Sequence, residues 1–220
     1  MKRIVQLCFL LLFPVGSCLA QNNEVSFSIG PVFTTDQKLR VDSSLPGCQI
    51  QGCTGVDTFA NDTSVAFALG YARRIAGAGP VALSVDLFAL RQPDHDADVT
   101  TNNQFLGLTA TGKAAATFLV PSLRVQILPR GRISPWAAAG YGYAHLSGDF
   151  VSTTKTKGAA EFGGGVDVRV LPHVALRGEV RDFRTSGTIQ SGALFTLTGG
   201  TALTDHIQHI YAGAGVVFKF

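Results

Sequence analysis

Residues 65–72 read VAFALGYA, and this stretch decides the fold. Val65, Phe67, Leu69 and Tyr71 alternate with Ala66, Ala68, Gly70 and Ala72. Successive side chains of a β-strand point to opposite faces, so a period of two sets one apolar face against one small-residue face. The same period recurs on both sides of this stretch, in segments roughly ten residues long. Upstream, Val25, Phe27 and Ile29 oppose Ser26, Ser28 and Gly30. Downstream, Val81, Leu83, Val85 and Leu87 oppose Ala82, Ser84 and Asp86, and Leu119, Leu123, Val125 and Ile127 oppose Ser122, Arg124 and Gln126. Pro121 lacks the amide proton a ladder needs, which predicts a bulge there or a strand that begins later. Residues 134–146, SPWAAAGYGYAHL, are less regular because both alternating sets hold apolar residues; Tyr141 and Tyr143 are assigned outward, Gly140 and Gly142 inward. Phe162, Val166 and Val168 then oppose Glu161, Asp167 and Arg169, and Leu176 and Val180 oppose Arg177, Glu179 and Arg181. In the last segment Ala212, Ala214, Val216, Phe218 and Phe220 oppose Tyr211, Gly213, Gly215, Val217 and Lys219.

The connections alternate too. Residues 35–63, 92–116, 147–157 and 185–206 are long, whereas 75–80 (IAGAGP), 128–132 (LPRGR) and 171–173 (LPH) are short. Four long and three short connections predict eight antiparallel strands in an up-and-down meander. Apolar side chains on the outer face, charged and small ones inside, and short turns gathered at one rim are the marks of a transmembrane β-barrel, all-β in class. A soluble barrel that holds a ligand needs the opposite arrangement, apolar inward and polar outward, and the pattern is inverted relative to it.

Residues 1–20 read as an export leader. Lys2 and Arg3 make a basic start, an apolar stretch follows, and small residues end at Ala20, which leaves 21–220 as one barrel domain. Val15-Gly16-Ser17-Cys18 offers a rival reading, a lipoprotein signal that would lipidate Cys18. The chain carries 18 basic and 15 acidic residues, and without Lys2 and Arg3 it is nearly neutral, which gives no argument for nucleic acid. Beyond the leader no apolar run of about 18 residues occurs, which excludes a spanning helix and leaves spanning strands open. Cys48 and Cys53, in CQIQGC, are expected to form a local disulfide in an exported chain; two sulfurs with no neighbouring His or Cys cannot close a metal site.

Three stretches resemble the small eight-stranded outer-membrane barrels, the OmpA-like transmembrane barrel and its OmpX-like and opacity-protein relatives. They are PWAAAGYGYAHL (135–146), EFGGGVDVRVLPHVALRGEVRDF (161–183) and GAGVVFKF (213–220), and the likeness spans residues 24–220. The resemblance implies a Gram-negative outer-membrane location and contact with membrane lipid and lipopolysaccharide. It also implies that Phe220, with Phe218, Val216 and Ala214 at alternate positions before it, is the signal read by the barrel-insertion machinery. No cell-wall-binding module is expected.

Inside the barrel the alternation places Arg74, Asp86, Arg124, Glu161, Asp167, Arg169, Arg177, Glu179, Arg181 and Lys219. Eight strands leave a bore just wide enough for side chains to fill, so these charges are expected to pair into a plug. A narrow gated pore is the alternative, and a wide solute channel would need about sixteen strands.

Other constellations carry less. Asp94, Asp96 and Asp98 imitate a calcium loop, but Val99 stands where Gly is needed and Phe105 where a bidentate Glu is needed. His206 and His209 are three apart, on opposite faces of a strand. Gly163 to Gly165 lie in a strand rather than before a helix, which suits close packing, not a nucleotide loop. His145 and Ser147 share a face and resemble the His/Ser pair of the lipid A deacylases, so a lipid A-modifying enzyme is the main rival reading. The pair lacks an evident acid and oxyanion site, with Asp149 placed in a loop. The expectation is therefore a monomeric, non-enzymatic barrel with no cofactor, no metal ligand and no nucleic-acid partner. Its four outer loops would serve a structural or surface-interaction role toward an extracellular ligand or host surface.

Overall fold

The computed structural model describes residues 23–35, 37–41, 56–61, 63–103, 106–148, 155–186, 202–203 and 206–220. The leader, Cys18, Cys48, Cys53 and Asp149 lie outside them. Eleven strands follow in order: β1 (Asn23–Thr34), β2 (Gln37–Val41), β3 (Val56–Asn61), β4 (Ser64–Ala78), β5 (Val81–Asn103), β6 (Leu106–Ile127), β7 (Ile133–Gly148), β8 (Lys155–Leu171), β9 (Val174–Ser186), β10 (Ala202–Leu203) and β11 (His206–Lys219).

Eight of them close the barrel. β1 pairs antiparallel with β4, and pairing continues through β5, β6, β7, β8 and β9 to β11. β11 returns to β1, with Phe27 opposite Val216 and Ser28 opposite Gly215. At the seam Asn23 and Phe220 exchange both backbone hydrogen bonds, at 3.0 and 2.9 Å. The fold is thus the all-antiparallel eight-stranded barrel that the alternation predicts, with no sheet edge left in its wall. β2, β3 and β10 are the continuations of β1, β4 and β11 past the outer rim; β10 pairs with β2, β2 with β3, and β3 with the far end of β5.

The alternation sets the two faces as read from sequence. Leu123 is 55% exposed on the outer wall and its neighbour Arg124 is 1% exposed inside. Phe27, Phe67, Leu69, Phe162, Leu176 and Phe218 likewise face outward, and Tyr141 and Tyr143 join them. Gly163 and Gly165 face inward, where an added Cβ would come 2.8 Å from Arg181 Cγ at Gly163, and 2.4 Å from the Gly178 carbonyl oxygen and 2.8 Å from Trp136 Cζ2 at Gly165. The glycines make room for the two largest side chains nearby.

Three expectations need correction. Residues 75–80 are not a turn throughout: β4 runs on to Ala78, with a bulge between Arg74 and Ala76, and the reversal uses Gly79, at φ 56°, and Pro80. At Pro121 there is neither a bulge nor a late start. Pro121 pairs with Leu87 inside an unbroken β6, and the ladder to β7 lacks partners at Val120 and Pro121 but resumes in the same register, Leu119 opposite Tyr143 and Ser122 opposite Gly140. The missing pairs fall at and beside the one residue of β6 that has no amide proton to give a ladder. Finally, one of the long connections is strand almost throughout. β5 and β6 continue as a hairpin to Asn103 and Leu106, so the segment 92–116 is a β-arm rather than a loop, with a bulge between Gln92 and His95.

Candidate functional site

The interior is built in two storeys. Nearest the short-turn rim, inward positions of β1, β6, β8, β9 and β11 bring charges together that are far apart in sequence. Arg177 grips Asp167 with two bonds, Nε to Oδ1 at 2.8 Å and Nη2 to Oδ2 at 3.0 Å, and reaches Glu24 Oε1 at 3.1 Å. Such a fork is the geometry in which a guanidinium gives most to a carboxylate. Arg124 bonds Glu24 from the other side. Lys219 Nζ stands 3.7 Å from Asp167 and 3.9 Å from Glu24. Gln126 and the Trp136 indole both donate to Asp167 at 3.3 Å.

One step up, Arg181 meets three carboxylates: Glu161, Glu179 at 2.9 Å and Asp86 at 3.1 Å. Ser28 donates to Glu179 at 2.6 Å and in turn accepts from the Tyr211 hydroxyl at 3.0 Å. Trp136 lies among three guanidinium carbons, Arg177 and Arg181 at 5.0 Å and Arg124 at 5.6 Å from its centroid. Those are distances at which an indole face attracts a cation. Arg181 also sits 3.6 Å above the Phe88 ring.

Above this level the polarity changes. Phe88 and Phe183 stack at 6.1 Å, Phe118 and Phe183 approach to 4.8 Å, and Val32, Leu90, Val120, Ala144 and Leu146 complete a buried apolar cluster. His209 meets Phe118 edge-on at 5.1 Å, and its Nδ1 pairs with Thr34 Oγ1 at 3.0 Å. Gln92 donates to Ser64 at 2.7 Å at the top of the cluster.

Of the ten charges assigned to the lumen, eight join the two networks. Arg74 and Arg169 do not; they stand at the short-turn rim, where Arg169 donates at 2.8 Å to the carbonyls of Arg130 and Pro129 and ties down the β6–β7 turn. Glu24 is absent from the ten, although it lies on the same phase as Ser26 and Ser28 and holds two arginines. The aromatic storey also escapes the sequence pattern: Phe88 lies on an inward phase between apolar Leu87 and Ala89, and Phe183 lies between Asp182 and Arg184, where the apolar side chain faces in and the charged ones face out.

Elsewhere, His145 is exposed on the outer wall and its ring pairs with Thr156 Oγ1 at 3.3 Å, an alcohol rather than an acid. Ser147 lies on the same phase, half-buried near the end of β7. Asp98 accepts from Thr111 across the β5–β6 arm at 2.7 Å. No group of three metal-ligating side chains occurs among the described residues.

A family model described as the outer membrane protein beta-barrel domain matches residues 7–218. No curated protein matches the sequence. Among solved structures, the chain is similar to the outer membrane protein OprG from Pseudomonas aeruginosa, at 13% identity, TM-score 0.52, covering 91% of this chain and 97% of that one. It is similar to the outer membrane protein AlkL at 17% identity, TM-score 0.51, covering 94% and 95%. The outer membrane protease OmpT from Escherichia coli has 7% identity and TM-score 0.51, covering 94% and 99%. At these identities the likeness is one of fold.

Proposed function

The chain belongs to the outer-membrane protein β-barrel family, and from that premise we propose that it is a non-enzymatic surface protein, exported by residues 1–20. Its barrel would be a closed stake and its outer β-arms the working part. One observation carries this reading: the interior is filled by its own side chains, ion pairs from Glu24 to Arg181 and aromatic rings from Phe88 up to His209, so chemistry with the outside is left to the arms. Arg181, Glu161 and Phe183 at mid-height are each 0% exposed. A rigid scaffold with recognition elements at one rim is a common division of labour.

The test uses cells that display either the whole protein or a version with residues 37–61 replaced by a short Gly-Ser linker. Adherence to a host-cell monolayer is scored for both. Loss of adherence with the linker, at equal surface amounts, is expected; equal adherence defeats the proposal. Swelling of liposomes carrying the protein, in mono- and disaccharide solutions, checks the closed barrel, and rapid solute entry would favour the pore reading. For the enzyme reading, the acylation state of lipid A is compared between wild type and His145→Ala, with no difference expected.

A further inference from the structure

The rim that carries the short turns holds a cavity that meets the plug at Arg74, a residue that also lines a small gap beside Glu24, Arg124, Gln126 and Lys219. It lies between the β4–β5 and β6–β7 turns, has a volume of about 560 Å³, and is lined by Arg74 and Arg130 together with Ile75, Val81 and Leu128. Among its lining residues there is no carboxylate. The three short turns, IAGAGP, LPRGR and LPH, contain no acid either, whereas Asp94, Asp96 and Asp98 gather on the opposite, outer end. Glu24, the acid nearest this rim, is already shared by Arg124, Arg177 and Lys219. Arg169 fixes the carbonyls of Arg130 and Pro129, so the β6–β7 turn that presents Arg130 is held in place.

Short turns mark the periplasmic side of such a barrel, so the cavity sits at headgroup level of the inner leaflet. We propose that it binds the phosphate of an anionic phospholipid from that leaflet. Arg74 and Arg130 supply the charge, and guanidinium groups are well matched to phosphate oxygens. The apolar lining decides between a lipid and a soluble anion. Ile75, Val81 and Leu128 are 55%, 42% and 51% exposed, on the same wall as the membrane-facing belt. An acyl chain descending from the phosphate covers them; a free anion leaves them bare.

The experiment is native mass spectrometry of the full-length protein released from detergent, with dioleoyl phosphatidylglycerol, dioleoyl phosphatidylcholine and glycerol phosphate as probes. Wild type is expected to retain phosphatidylglycerol, and the double variant Arg74→Gln with Arg130→Gln to retain it less by a factor on the order of a hundredfold, about tenfold for each lost charge-assisted contact. Arg91→Gln, at an exposed arginine in the outer half bonded to Thr117, controls for charge and is expected to bind as wild type does. Heat-modifiable gel mobility establishes that each variant is folded. Equal retention by the folded double variant overturns the site. Equal retention of phosphatidylcholine overturns the anionic preference, and competition by glycerol phosphate as strong as by the lipid assigns the cavity to a soluble anion instead.

Discussion

The two storeys of the interior fill the same bore by opposite means. In the lower one, Glu24, Asp167, Arg124, Arg177 and Lys219 form one network and Arg181 with Asp86, Glu161 and Glu179 another. In the upper one, Phe88, Phe118 and Phe183 are packed against small and branched apolar side chains. The difference is one of failure mode. A buried charge deprived of its partner retains its full desolvation cost, whereas a truncated ring forfeits transfer energy and leaves a void in proportion to its size. The lower storey should therefore break abruptly and the upper one by degrees.

The largest effect is expected at Arg181→Leu, which leaves three buried carboxylates facing one another. A loss of about 3–5 kcal/mol follows, read as a shift of the urea midpoint in detergent micelles. A loss under about 1 kcal/mol would mean that the carboxylates cope without the arginine, and the contrast between storeys would collapse. Phe183→Ala is expected to cost about 3 kcal/mol on the same assay, because the ring contacts both Phe88 and Phe118. Its effect should be softened by Phe183→Leu, whereas Arg181→Lys should recover little, since an ammonium cannot reach three carboxylates in a fork. Glu24→Gln is expected to cost about 2 kcal/mol, the value of hydrogen bonds to charged groups, with Arg124 losing its carboxylate. Smallest is Tyr211→Phe, at about 1 kcal/mol. Tyr211 sits at the boundary, its ring 6.3 Å from Phe88 and its hydroxyl on Ser28, so a null result there would place it wholly in the upper storey.

Legibility in the sequence follows from contrast between neighbours. Arg124, set between Leu123 and Val125, announces two faces by polarity alone, so the wall and the lower storey can be read. Glu24 obeys the same phase but stands one residue before the first apolar member, Val25, where an alternation has nothing yet to contrast with. Along β5 the contrast vanishes the other way: Leu87, Phe88 and Leu90 are all apolar, though Leu87 faces out and the other two face in. From Pro93 to Asn103 the sequence is mostly polar, and what extends the arm is backbone pairing with β6 and β3, which side-chain periodicity does not record. The rim cavity depends on two turns brought together by the β5–β6 pairing, Val81 opposite Ile127, and by the Leu128 amide donating to the Pro80 carbonyl. Their arginines are conspicuous in sequence, but nothing in either turn names the other.

The seam where Asn23 and Phe220 exchange hydrogen bonds closes the wall. Its two strands, β1 and β11, come from opposite ends of the described chain, so the contact with the greatest loop-closure cost is also the one that completes the wall. A product that stops before His206 would leave β1 and β9 as bare edges that no lipid can satisfy. Closure thus acts as a length gauge: a chain must be synthesised through its final strand before it can rest in a membrane at all.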